Sequence, residues 1–181
     1  MDGRTIRDIL GYLIGGLLVM VLIPLGLYRA SQAFDHVTGM HLIPIASLRV
    51  TVAVILSFSG LLFAVWSNVG LNRIGKGGPL EVAGVEISPK TETLVTTGPY
   101  KYTRNPMLFG TCLFYYGEAV YLNSVIASAL VTVFMIFMLV FVKKVEEPRL
   151  VKDFGTDYEW YRQQVSMFIP RIQKRQRFKN V

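Results

Sequence analysis

Four apolar runs decide what this chain can fold into. They cover roughly Ile9–Tyr28, Leu42–Val65, Met107–Leu122 and Ser124–Val142, and a helix crossing a bilayer takes about 20 apolar residues. Within hydrocarbon a segment must satisfy its own N–H and C=O groups, which a lone apolar stretch does only as a helix. The pattern predicts an all-α integral membrane protein with about four transmembrane helices in two hairpins. The first run is too long for a cleavable signal peptide, and no small-residue cleavage pattern follows it. Composition agrees, since 52% of the 181 residues are hydrophobic and 17% are charged, too apolar for an ordinary soluble domain of this length.

Charge sets the orientation. All but Arg29 and Arg49 of the 19 Lys and Arg precede the first run, lie between the second and third, or follow the fourth. The positive-inside rule then places both termini, the long middle loop and the tail in the cytoplasm. The net charge of +7 reads as juxtamembrane charge facing anionic lipid headgroups, most plainly at Arg171–Lys179, and not as a nucleic-acid surface. The bland alternative for that tail is a topology anchor without a specific partner. The single Cys112 excludes an intramolecular disulfide and makes a thiolate metal site implausible. His36 and His41 have no further metal ligands near them in sequence, so no metal is expected.

The chain reads as one membrane domain. Residues 1–70 form an N-terminal helical hairpin and 71–105 a cytoplasmic loop. Residues 106–147 form a second hairpin that turns at Asn123, and 148–181 a cytoplasmic tail. Gly75, Gly77, Gly78, Pro79, Pro89 and Pro99 keep any long helix out of the loop, and a connection of about 35 residues is long enough to be functional or mobile. In the tail, Tyr158, Tyr161 and Val165 recur at helical spacing, which predicts an amphipathic interfacial helix over Asp157–Val165, ended by Pro170. Gly11 and Gly15 have the spacing of a close helix-packing motif, one that also arises often by chance.

The polar groups gather where the second hairpin meets the loop. Asn105-Pro106 predicts a helix start, with Asn as N-cap and Pro in the first position. The positive end of that helix, beside Arg104, suits an anionic group such as a carboxylate. The alternative is a simple cap and an interfacial anchor. Glu146 and Glu147 close the fourth run, and acidic residues at a helix C-terminus oppose the dipole. Pairing with Lys143 would account for one carboxylate; a cationic ligand group would use both. At 1.5 Å per residue the two glutamates stand roughly 10 Å beyond the start of the third helix, on the same side. A zwitterionic, partly cationic cofactor suits such a mouth.

The motifs Leu94-Val95-x-x-Gly98-Pro99-Tyr100, Arg104-Asn105-Pro106-Met107, Glu146-Glu147-Pro148 and Phe154-Gly155-x-x-Tyr158-x-x-Tyr161 stand in order over about Leu94 to Pro170. Each alone is weak, but the ordered set resembles the membrane methyltransferases, which include isoprenylcysteine carboxyl methyltransferases and phosphatidylethanolamine N-methyltransferases. The resemblance implies S-adenosylmethionine as methyl donor and a lipid or lipidated acceptor entering from the bilayer. It implies that Leu94, Val95, Gly98, Tyr100, Asn105, Pro106, Met107 and Leu108 line the cofactor and that Glu146, with Glu147 beside it, holds its ammonium. Arg104 and Asn105 become the candidate catalytic residues. Little acid–base machinery is needed, because catalysis of this kind rests on positioning and water exclusion.

Departures from the pattern bear on the acceptor. Asn105 stands where the carboxyl methyltransferases usually have His, Leu108 where they have Tyr, and Val142 where they tend to have Arg. Those differences favour a phospholipid or amine headgroup over a prenylcysteine-type carboxylate. The glycine-containing cofactor motif of the phospholipid enzymes is not evident around Ser59-Gly60. A non-catalytic membrane scaffold or small transporter, and a methyltransferase-like protein that binds cofactor without turnover, are the remaining alternatives. Two charges fall inside the apolar runs, Arg49 and Glu118; either they pair across the second and third helices or each snorkels independently to the headgroups.

Overall fold

The computed structural model describes residues 16–75, 81–82, 85–86 and 91–172, so Gly11, Gly15 and most of the basic tail lie outside the described residues. Helix α1 passes through a π-helical turn, Leu18–Leu22, into Ile23–Thr38. Helix α2 is Ala46–Ile74, α3 is Pro106–Leu122 and α4 is Val125–Phe141. A second π turn, Val142–Glu146, runs α4 straight into α5, Glu147–Gln164. The middle loop carries a two-residue antiparallel ribbon, Glu81–Val82 with Val85–Glu86, and a 3-10 turn at Gly98–Lys101.

Helix α2 and the continuous stretch Val125–Gln164 are long and apolar enough to cross a membrane, yet only 11% and 17% of their most apolar windows are buried. Bare apolar surface on that scale is unfavourable in water and not in hydrocarbon. The chain is an integral membrane protein. Helix α1 runs past Tyr28 to Thr38, where Gly39 (φ 59°) ends it. Helix α2 outlasts its apolar run because Ser67, Asn68 and Asn72 are polar without being helix breakers, and the chain continues helical as far as Gly75.

The closest packing joins α2 to α3. Ala53, Ser57, Gly60 and Ala64 recur on α2 every three or four residues and face Gly110 and Gly117 of α3. A Cβ on Gly60 would stand 2.5 Å from Phe114 N, and one on Gly110 would stand 2.6 Å from Gly60 O. Small residues let the backbones touch, which is how helices gain attraction when lipid is as apolar as their side chains. Helix α1 packs on α3 and α4 through a core of Leu27, Tyr115, Ala119, Ala127 and Val131, and among the described residues it does not pack closely along α2, so the described part of the first hairpin is splayed. Side chains tie the two connections at that end of the bundle: Asn123 Oδ1 accepts from Ile43 N at 2.9 Å, and Asp35 Oδ1 accepts from Ile126 N at 3.3 Å.

Two expectations change. Among the described residues no ion pair joins Arg49 to Glu118; Arg49 Nε and Glu118 Oε2 are each buried without a hydrogen-bond partner. The tail helix begins at Glu147 rather than near Asp157, with a kink at Gly155 (φ 55°, ψ −130°). Its stripe of Tyr158, Tyr161 and Val165 is buried against Leu94, Leu150, Val151 and Phe154. That stripe is therefore met by Leu94 of the loop and by the part of the same helix before the kink.

Candidate active site

The loop is folded onto the end of α2 before it reaches α3. Glu92 N donates to Gly75 O at 2.8 Å, and Val95 is buried beside Gly75, where an added Cβ would meet Leu71 O at 2.7 Å. Gly98 adopts φ +61°, a conformation that disfavours any side chain, and passes beside the Trp66 indole. The 3-10 turn then sets Tyr100 over Gly70 of α2, an added Cβ there standing 3.9 Å from its ring. Pro99 and Pro106 are fully buried.

Arg104 reaches α5. Its Nη1 lies 2.7 Å from Glu147 Oε1, with side chains only 9% and 8% exposed, and Arg162 Nη1 stands 4.0 Å from the other carboxylate oxygen. Arg104 Nε is a buried donor without a partner. The Glu146 charge is near enough to Tyr100 to act on its phenol. The adjacent carboxylates thus serve different neighbours.

Glu146 and Glu147 do not stand at an unfavourable helix end, because no helix ends there. The chain passes from α4 through the π turn into α5, with Glu147 N bonded to Val142 O, and Glu147 lies in the first turn of α5. Pro148 sits at an early helical position where it is tolerated, and π turns recur at functional sites. Arg104, two residues before α3, meets Glu147 on this side of the bundle.

Asn105 precedes α3 as expected, but its side chain makes no cap. Its Nδ2 donates to Met167 O at 2.9 Å, while its carbonyl accepts from Phe109 N at 3.0 Å. The segment after α5 carries no sequence signal of a site role, yet it straps the loop. Arg104 N donates to Ser166 O, Thr103 Oγ1 to Met167 O and Arg171 N to Tyr102 O, and Phe168 stacks edge-on against Phe109. Tyr161 Oη donates to Tyr100 O at 2.6 Å. Of the residues singled out from sequence, Leu94 packs on the Tyr158–Tyr161 cluster, and Met107 and Leu108 are half-buried in the first turn of α3. The first-turn N–H groups of a helix have no intrahelical acceptor.

Burial, and after it the Glu146 charge, pushes the Tyr100 phenol up from the usual 10.0 to about 12. Burial and the Glu147 charge push Tyr158 up to about 12 against the opposing pull of Arg104. Burial raises Tyr161 as well. A raised folded-state value means the unfolded chain loses its protons first, so this stabilisation is intact below pH 10 and is lost as pH rises through about 12. Tyrosinate absorbance should therefore show surface tyrosines ionising first, then a cooperative step toward pH 12 that coincides with opening of the strap; a single smooth titration would count against it.

A family model described as phospholipid methyltransferase matches residues 48–157. No curated protein matches the chain. The matched stretch takes in most of α2, the loop with Arg104 and Asn105, all of α3 and α4, and α5 through Glu146, Glu147 and the Gly155 kink. It is more than half of the sequence, and with it the chain belongs to the phospholipid methyltransferase family.

Proposed function

We propose that the protein transfers a methyl group from S-adenosylmethionine to a lipid held in the bilayer, with an amine headgroup as the favoured acceptor. One observation carries the reading: Arg104 engages Glu147, while Glu146 stands half-buried beside Tyr100. The donor set fits the cofactor. Glu146 would hold its ammonium, and the first-turn N–H groups of Met107 and Leu108, with the orphaned Arg104 Nε, suit its carboxylate. Leu94, Val95, Gly98, Tyr100, Asn105 and Pro106 would shape the walls. When bound, the sulfonium supplies an already activated methyl group.

The chain's own part is then to orient and to exclude water. The strap of residues 165–171 closes one side, and the α2–α3 seam fixes Trp66 and Gly70 against the loop. By the distribution of Lys and Arg the site faces the cytoplasm, and the basic tail attracts anionic lipid. Val142 is only 3% exposed, so the position that carries Arg in carboxyl methyltransferases is packed away here, which supports an amine acceptor over a prenylcysteine carboxylate.

Calorimetry with S-adenosylmethionine tests the placement. Glu146→Gln should weaken binding by at least about 1.5 kcal/mol, the low end for a hydrogen bond to a charged group. Unchanged affinity removes Glu146 from the site, and absence of binding by the parent protein returns the scaffold or transporter reading. Mass spectrometry of a lipid extract incubated with isotopically labelled cofactor identifies the acceptor. Labelling of a farnesylcysteine analogue with none on aminophospholipids would reverse the order of substrates.

A further inference from the structure

The splayed first hairpin leaves a cleft of about 500 Å³ between α1 and α2, floored by α3. Met20 and Pro24 form its α1 wall, Phe58 and Leu61 its α2 wall, and Phe114 and Glu118 its floor. Met20, Phe58 and Leu61 are also exposed, so the cleft opens sideways into the bilayer. Glu118 is the one charged residue among those that line it, and its Oε2 is buried without a hydrogen-bond partner. A carboxylate in such surroundings is costly and marks a site by default.

Arg49 lies one helical turn before Ala53, which also lines the cleft, and its Nε is buried without a partner. Glu118 Oε2 and Arg49 Nε thus each lack a partner near one end of the bundle, and no ion pair joins the two side chains among the described residues. Leaving both unsatisfied is unfavourable, and a zwitterion carrying N–H donors satisfies both at once.

We propose that this cleft binds an aminophospholipid from the leaflet opposite the methyl-transfer site. Its ammonium donates to Glu118, its phosphate faces Arg49, and one acyl chain lies along Phe58, Leu61 and Phe114. Glu118 is twelve residues from Pro106 along α3, about 18 Å, so this is a second lipid site and not the acceptor position. The proposal does not depend on methyl transfer.

The test is native mass spectrometry of the detergent-purified protein titrated with phosphatidylethanolamine, phosphatidylcholine or phosphatidylglycerol of matched chains. The ethanolamine lipid should be retained about tenfold better than the other two, because trimethylation removes the N–H donors and glycerol removes the cation. Glu118→Gln should erase that preference, and Arg49→Gln should lower retention of all three. Leu61→Trp, which fills the cleft and keeps Glu118, should also lower retention and serves if Glu118→Gln fails to fold. Equal retention of the three lipids by the parent overturns the proposal. So does a preference that survives Glu118→Gln, which would locate it at the transfer site. Cofactor binding by calorimetry should be unaltered in Leu61→Trp, which keeps this outcome separate from the fate of the methyltransferase reading.

Discussion

Gly110→Leu in α3 should sharply lower the yield of folded protein by forcing the α2–α3 seam apart. A Cβ at Gly110 would stand 2.6 Å from Gly60 O, 2.7 Å from Ala64 N and 3.0 Å from Phe63 Cβ. Two of those atoms are backbone inside a long helix, so no rotamer change relieves the clash and the helices must part. Overpacking that side chains can absorb costs about 1–3 kcal/mol; with backbone on the far side the loss should reach at least about 3 kcal/mol. Lipid supplies no hydrophobic force to hold the parted helices together. Separation would also carry Trp66 away from Gly98 and Gly70 away from Tyr100, so cofactor binding should fall together with melting temperature. Gly26→Ala in α1 is the control, since nothing lies within 4 Å of a Cβ there, and it should be neutral or stabilising by up to about 1 kcal/mol from helix propensity. Equal melting of Gly110→Leu and the parent in detergent would disprove the seam.

That seam also shows where the sequence is readable. The start of α3 is legible from Asn105-Pro106 because a fixed φ and a missing N–H suit a first helical turn. The turn at Asn123 is legible because Asn tolerates the left-handed conformation it adopts (φ 56°). Which helices touch is not legible, since Ala53, Ser57 and Gly60 look like ordinary members of an apolar run until Gly110 and Gly117 are known to face them. The end of the fourth run misleads for a related reason. Hydropathy falls at Lys143, but a helix can outlast its apolar stretch, and a π turn has no composition of its own. The strap is hidden because Ser166 and Met167 offer mostly backbone carbonyls to the loop, and every residue has one. Asn105 is right in place and different in purpose: its amide is more useful holding Met167 than capping a helix that Pro106 already starts.

Removing one partner of the Arg104–Glu147 pair should be the second large effect, and undoing both should be mild. The two groups are 2.7 Å apart with less than a tenth of either side chain exposed. Burying charges is expensive enough that such a pair adds little net stability over an apolar replacement, whereas leaving one partner alone costs about 3–5 kcal/mol. Arg104→Met should therefore destabilise strongly, with Glu147 left facing only the more distant Arg162 at 4.0 Å. Glu147→Leu should be comparable, because it strands the guanidinium. The double variant should recover most of the lost stability, which a double-mutant cycle of melting in detergent would register as a coupling of several kcal/mol. Its activity then separates two roles. If Arg104 only fastens the loop to α5, cofactor binding and methyl transfer return with the fold. If its unpartnered Nε holds part of the bound cofactor or acceptor, the double variant melts like the parent and stays inactive, since Met offers no donor at that corner. Single variants that melt like the parent would mean that the pair holds neither loop nor helix.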